Sequence, residues 1–185
     1  MSQKDYNIAI AAHLLRKAEH IRGLALVLGT NQTTISRKIY DLYDRNIVDY
    51  REEGRNKVFF LKKTLEAKEF VYTVEIDKLL SILHKYPLLL RIVEKIKKEK
   101  KISLALFFGS YAKGIAHNDS DIDIYIMTKD RKIKETLENF DSRIRVKTGA
   151  YDTQNLLIKE IEKNHVIIKG IEEYYERCRF FEEAG

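Results

Sequence analysis

Two carboxylates stand two residues apart in the run Ser120-Asp121-Ile122-Asp123-Ile124-Tyr125-Ile126. Alternate residues of a strand share a face, so Asp121, Asp123 and Tyr125 are expected on one side and Ile122, Ile124 and Ile126 in the core on the other. Two acids held a pleat apart on a rigid strand are candidate ligands for a hard cation, Mg²⁺ or Mn²⁺. Burying like charges side by side is costly unless a cation or a basic partner offsets them. An exposed edge strand could also carry acids, but their alternation with three isoleucines argues for a paired placement.

A second chemical feature lies just upstream. The apolar stretch 102–108 runs into Gly109-Ser110, and a helix is expected from about Tyr111. Glycine lets a backbone approach a phosphate closely, and free N–H groups at a helix start favour anions. The Ser110 hydroxyl adds a donor and Lys113 a positive charge. The nucleotide-binding candidates are therefore Gly109, Ser110 and Lys113, beside Asp121 and Asp123 as the catalytic and metal-binding pair. Triphosphate on one side and metal on the other suits transfer of a nucleotidyl group, which depends on positioning and charge neutralisation. Two rival phosphate motifs fail. Ile115-Ala116 stand where a P-loop requires Lys-Ser/Thr, and no G-x-G-x-x-G occurs. His13, His20, His84, His117, His165 and Cys178 lack the spacing of zinc ligands.

To hold these groups, the second half must alternate strands and helices. Residues 88–100 read as a helix leading into the strand 102–108. Strands follow at 121–127 and 144–148, and helices at 132–140, 153–163 and 166–179. The expected result is a small mixed sheet with helices packed on it.

The first half has a different rhythm. Residues 6–18 and 20–28 read as helices, and Gly29 is placed to end the second. Thr30 or Asn31 caps a third helix reaching about Arg45, with Ile35, Ile39 and Leu42 as its buried stripe. Its exposed face then carries Gln32, Thr33, Ser36, Arg37 and Tyr40. Short β-type runs at 47–51 and 57–61 flank Glu52-Glu53-Gly54-Arg55-Asn56, a hairpin signal. Thr64 caps a long helix to about Tyr86, with Phe70, Val74, Leu79, Leu80 and Leu83 apolar, and Pro87 ends it.

Both halves resemble known families. The turn Leu28-Gly29-Thr30-Asn31, the helix that begins Gln32-Thr33-Thr34-Ile35-Ser36-Arg37-Lys38-Ile39, and the hairpin up to Leu61 resemble winged-helix regulators of bacteria and archaea. That resemblance implies DNA as a partner. Gln32, Thr33, Ser36, Arg37 and Tyr40 would read the major groove, while Arg51, Arg55 and Lys57 would put charge on the wing. The acids Glu52 and Glu53 weaken the wing's basic character.

The pattern G-S, ten residues, D-x-D is similar to minimal members of the polymerase-β-like nucleotidyltransferase superfamily, over roughly residues 88–157. The resemblance implies Asp121 and Asp123 as metal ligands and Gly109 and Ser110 as the triphosphate cradle. Full members carry a third acid on a later neighbouring strand. Here Ile144 and Val146 turn inward, so that strand would present Arg143, Arg145 and Lys147 instead. Lys147 or Arg145 would then contact phosphate or pair with Asp123. Asp141 and Asp152 lie near the strand ends, Asp152 as a turn or cap residue.

The fold expected is α+β, with an N-terminal winged helix at 1–63, a linker and dimerisation helix at 64–87, and a polymerase-β-like nucleotidyltransferase mixed sheet with flanking helices at 88–185. The leading functional expectation is an Mg²⁺-dependent nucleotidyltransferase moving NMP from an NTP, by default ATP, to a protein or nucleic-acid acceptor. Minimal family members resemble antitoxins, which implies a separate, toxin-like protein partner. The alternative is a DNA-binding regulator whose nucleotidyltransferase-like domain senses nucleotide without turnover.

Composition narrows the rest. Net charge is +6, and residues 1–66 hold twelve Lys/Arg against eight Asp/Glu, as a polyanion-binding half would. A lysine-rich solvated surface would give the same surplus, so charge alone does not decide. One cysteine excludes an internal disulfide framework and fits a reducing compartment. The N-terminus carries no apolar secretory core, and the apolar stretch 79–92 is broken by His84, Lys85 and Pro87. The expected location is cytoplasmic, away from membranes. The apolar excess of the helix 64–86 is the reason to expect a homodimer.

Overall fold

The computed structural model describes residues 5–128 and 130–182. The chain divides inside one long helix into two units. Residues 5–74 with 180–182 form the first, and Glu75–Arg179 the second. No described helix is long and apolar enough to cross a membrane.

In the first unit the order is α1 (Tyr6–Leu14), β1 (Glu19–His20), α2 (Ile21–Leu28), α3 (Gln32–Asp44), β2 (Val48–Glu53) and β3 (Asn56–Leu61), followed by the first half of α4 (Leu65–Lys85). Asp5 caps α1, which stops at Leu14 rather than near Ala18. Gly29 ends α2 in the left-handed region, and Asn31 caps α3 by accepting from the Thr34 amide at 2.8 Å. The stripe Ile35, Ile39 and Leu42 is fully buried. β2 and β3 form a hairpin whose last pair is Glu53 with Asn56, and β1 adds to the far side of β3, giving the order β1-β3-β2. Three helices, a short strand and a hairpin in this order make a winged helix. β1 is two residues long, too short for any period to reveal.

The second unit is a four-stranded mixed sheet in the order β6-β5-β4-β7. It comprises the end of α4, a 3₁₀ turn at Pro87–Leu89, α5 (Leu90–Lys98), β4 (Leu104–Phe107), α6 (Gly109–Ala112), β5 (Ile122–Met127), α7 (Arg131–Glu138), β6 (Ile144–Thr148), α8 (Leu156–Lys163), β7 (Val166–Lys169) and α9 (Ile171–Arg177). β5 and β6 are parallel, while β4 pairs antiparallel with β5 and β7. One face buries Ala105, Phe107, Ile122, Ile124, Ile126, Ile144 and Val146 against Ile92, Val93 and Ile96 of α5 and Ile133 and Leu137 of α7. On the other face Tyr125 meets Tyr151, and Tyr151 meets Tyr174 of α9.

One expectation is overturned. Residues 166–179 are not a single helix, because Val166–Lys169 is a strand with three buried residues and only Ile171–Arg177 is helical. Branched side chains suit a pleat lined on both sides. Gly170, at φ +80°, turns the chain there.

Of the apolar positions noted on α4, Val74 and Leu79 are buried and Phe70 and Leu83 half-buried, while Leu80 stays 60% exposed beside Ile76 at 50%. Much of the helix's apolar excess therefore goes into the chain's own cores.

The helical layer over the second face encloses His165. Its Nδ1 donates to the Ile161 carbonyl at 3.1 Å, its ring lies 4.6 Å from that of Tyr174, and Nε2 is buried. Burial holds this imidazole below its usual range of about 6.5, with the Lys78 charge adding to the effect and Glu75 opposing it. The folded state thus refuses a proton that the unfolded chain accepts. The cost is absent above pH 6.5 and grows as pH falls below it toward the lowered folded pKa. Between pH 7.5 and 5 the native protein is expected to lose more in Tm than His165→Gln, read by thermal melting. Parallel losses would contradict this.

Candidate functional site

β4 is apolar throughout because both of its faces are covered, and it delivers the chain to the site end of the sheet. There the Phe108 amide donates to the Asp123 carbonyl at 3.1 Å, and Gly109 turns with φ +66°. A Cβ on Gly109 would lie 2.2 Å from Asp123 Oδ2. The turn and the acidic strand are thus in direct contact, and any side chain at 109 would have to displace the Asp123 carboxylate.

The helix opened by Gly109 is a single turn of four residues. This corrects the expectation of a helix start as an anion site, since so short a helix has little dipole. The turn's own amides and the half-buried Ser110 are what remain for phosphate. The turn is well anchored. Tyr111 is buried edge-on against Tyr86 at 5.0 Å, and Lys85 Nζ donates to the Gly114 carbonyl at 2.6 Å. Lys113 is exposed, and its charge reaches Glu160 of α8, whose carboxyl is held low chiefly by Lys163.

Asp121 lies just before β5 and is half exposed, while Asp123 is less exposed. Burial raises the Asp123 pKa, the Asp121 charge raises it further, and Lys147 and Arg145 oppose both. A carboxylate raised in this way beside a second one favours a cation between the two.

The parallel ladder fixes what faces the acids. Asp123 is in register with Arg145 and Tyr125 with Lys147, while Ile144 and Val146 are buried. Where a third acid would sit, the side chains are basic. Arg145 Nη2 lies 3.2 Å from Asp121 Oδ1, so its partner is Asp121 and not Asp123. Arg143 is occupied elsewhere, binding Asp141 at 2.7 Å and the Asn118 carbonyl at 3.2 Å, and Asp141 is held down to about 2 by that pair. Asp152 accepts from the Gln154 amide at 2.9 Å, as a turn residue does. Among the described residues no group of three or more His, Cys, Asp or Glu could hold a metal. Two carboxylates nevertheless fit Mg²⁺, which commonly takes one or two protein carboxylates and completes its shell with phosphate and water.

On the winged helix, Gln32, Thr33, Ser36 and Arg37 line one shallow concavity of about 550 Å³ together with Ile21. Tyr40 is drawn into an aromatic cluster, edge-on to Phe59 at 5.9 Å and to Tyr43 at 6.4 Å. Lys57 lies 3.9 Å over the Tyr50 ring and 5.8 Å from that of Tyr40, so the wing's base is braced by cation–π contacts. Arg51 pairs with Glu53 at 2.8 Å, while Arg55 is exposed in the hairpin turn. Tyr43 and Tyr50 were not singled out in the sequence, although their spacing beside Tyr40 and Phe59 was available to read.

Residues 91–175 match the family model described as polymerase beta, nucleotidyltransferase. No curated protein matches the chain. Three solved structures resemble parts of it. The homodimeric winged helix-turn-helix DNA-binding domain Mb0332 from Mycobacterium bovis, described as a possible ArsR-family transcriptional regulator, is 17% identical with TM-score 0.35, covering 44% of this chain and 71% of its own. The adhesin competence repressor of Streptococcus pyogenes is 19% identical with TM-score 0.34, covering 51% and 76%. A toxin–antitoxin structure with AMP-PNP is 18% identical with TM-score 0.34, covering 57% and 85%.

Proposed function

We propose that this chain, with a polymerase-beta nucleotidyltransferase domain at residues 91–175, binds a nucleoside triphosphate at the Gly109 turn and transfers its NMP to an acceptor hydroxyl. The observation that carries the reading is the contact between Gly109 and Asp123, which joins a phosphate-type turn to a carboxylate pair. Gly109 and Ser110 hold the β- and γ-phosphates. Asp121 and Asp123 hold Mg²⁺ or Mn²⁺, which when bound neutralises charge on the phosphates. The acceptor oxygen bonds to the α-phosphorus, the bond to pyrophosphate breaks, and the acceptor's proton leaves to water. ATP is the default donor, and the acceptor is a protein, such as a separate toxin-like partner, or a nucleic acid. The test is incubation with α-labelled ATP and Mg²⁺ alongside candidate acceptors. Label on protein or RNA supports transfer, and its absence from every acceptor points to the second reading.

That second reading is a DNA-binding regulator that senses nucleotide without turnover. The observation in its favour is Arg145 in register with Asp123, where a third acid would activate the acceptor.

In both readings the winged helix places the chain on DNA through Gln32, Thr33, Ser36 and Arg37, with Arg55 on the backbone. Arg37→Ala is expected to weaken duplex binding about tenfold, and Arg55→Ala to lower the salt slope by about one. Fluorescence anisotropy on a genomic duplex pool checks both, and unchanged affinity and slope would remove DNA from the reading. Two copies would pair through the exposed Ile76 and Leu80 of α4. Leu80→Glu is then expected to give a monomer by light scattering, and a native monomer at micromolar concentration would exclude the dimer.

A further inference from the structure

The charged side chains on this face are Asp121 just before β5, Asp123 on β5, and Arg145 and Lys147 on β6. Their formal charges cancel. A face with three carboxylates would carry −3 and would need two divalent cations before a polyphosphate could approach; a neutral face needs one. Arg145 is also restrained. Its Nη1 donates to the Ser142 carbonyl at 2.6 Å and the Ile144 carbonyl at 3.1 Å, and Nη2 holds Asp121. The guanidinium is therefore kept at the edge where β5 begins, against Asp121, whose neighbour on the same face, Asp123, meets the Gly109 turn. A planar cation with several donors suits phosphate oxygens as well as a carboxylate.

We propose that Arg145 is a phosphate-binding residue that takes the place of a second metal ion: it holds Asp121 in the absence of nucleotide and moves onto the polyphosphate when a nucleoside triphosphate enters with one divalent cation. This rests on the nucleotide-binding reading above. It gives two expectations of opposite sign. Without nucleotide, Arg145 competes with the cation for Asp121, so removing it strengthens metal binding. With nucleotide, Arg145 adds a phosphate contact, so removing it weakens nucleotide binding.

The experiment uses the full chain with Mn²⁺ as the probe, free Mn²⁺ being read by electron paramagnetic resonance, and a non-hydrolysable ATP analogue titrated by calorimetry. The native chain is expected to bind one Mn²⁺ in the presence of analogue. Arg145→Gln is expected to bind Mn²⁺ alone about tenfold more tightly and the analogue about tenfold more weakly. Arg145→Lys recovers part of the analogue affinity, and Arg145→Asp admits a second Mn²⁺. A loss of fold would weaken both ligands together, so the opposed signs separate phosphate binding from scaffolding. Two Mn²⁺ ions in the native chain, or an Arg145→Gln variant with native affinities, would overturn the proposal while leaving nucleotide binding intact. If the native chain binds no analogue, the functional reading itself falls.

Discussion

The double variant Asp121→Ala/Asp123→Ala is expected to bind no cation–nucleotide complex and to lose label transfer by about a thousandfold or more. Asp123 on β5 and Asp121 just before it are the carboxylates on this face, and the neighbouring strand offers Arg145 and Lys147 instead. Among the described residues no third acidic ligand joins them, whereas the strands paired on both sides of β5 keep the fold intact without them. Melting temperature should stay within a few degrees of native, or rise slightly as the repulsion between the acids is lost. Gly109→Ala tests the same contact from the other side. The new Cβ meets the far end of the Asp123 side chain, which can swing away, so the variant should fold yet bind nucleotide about tenfold or more weakly. Because burial and Asp121 raise the Asp123 pKa, it takes up its proton at higher pH than a solvated carboxylate. Nucleotide binding should therefore be lost on acidification while ordinary surface acids remain ionised, and a pH titration of the calorimetric signal reads this. Native-like transfer by the double variant would remove the carboxylates from the chemistry.

Gly170→Ala is expected to cost about 3 kcal/mol or more and to lower the melting temperature of the second unit by roughly 12 °C or more. Gly170 joins β7 to α9 at φ +80°, and a Cβ there would lie 2.1 Å from the Ser103 carbonyl oxygen and 3.2 Å from Leu104 Cα. Those are backbone atoms at the start of β4, the strand paired on both sides in the middle of the sheet, so neither neighbour can yield by changing a rotamer. Gly114→Ala is the control in the same unit. It has φ +70° but its Cβ would meet nothing closer than Lys85 Nζ at 3.8 Å, so only the left-handed penalty of about 1 kcal/mol applies. Circular dichroism melts of both variants check the difference. Equal losses would mean that the approach of Gly170 to β4 contributes nothing.

The parts of the molecule that were legible in the sequence are those where local chemistry and tertiary role agree. Ile35, Ile39 and Leu42 repeat at helical spacing because one side of α3 is buried, and all three are. Gly109 and Asp123 belong to one sequence motif, and the structure places the Gly109 backbone against the Asp123 side chain. β7 reads as helix in the sequence because Val166, Ile167 and Ile168 are followed by Ile171 and two tyrosines, a run whose apolar positions also fit a helix. Only the partner strand β4 and the left-handed turn at Gly170 decide for a strand, and neither is a local property. The short β1 depends in the same way on β3. On the site face, the alternation of strand 144–148 correctly turned Arg145 and Lys147 toward the acids. Which acid Arg145 chose was not legible, because that depends on Asp121 lying just outside β5 with half its side chain free to meet the guanidinium.

The central claim is that the Gly109 turn and the Asp121–Asp123 pair form one nucleotide site. Calorimetric titration of a non-hydrolysable ATP analogue with Mg²⁺ into the full chain, and in parallel into Asp121→Ala/Asp123→Ala, tests it most directly. Saturable binding at one nucleotide per native chain, absent from the variant, is the expected result. No binding to the native chain, or equal binding to both, would contradict it.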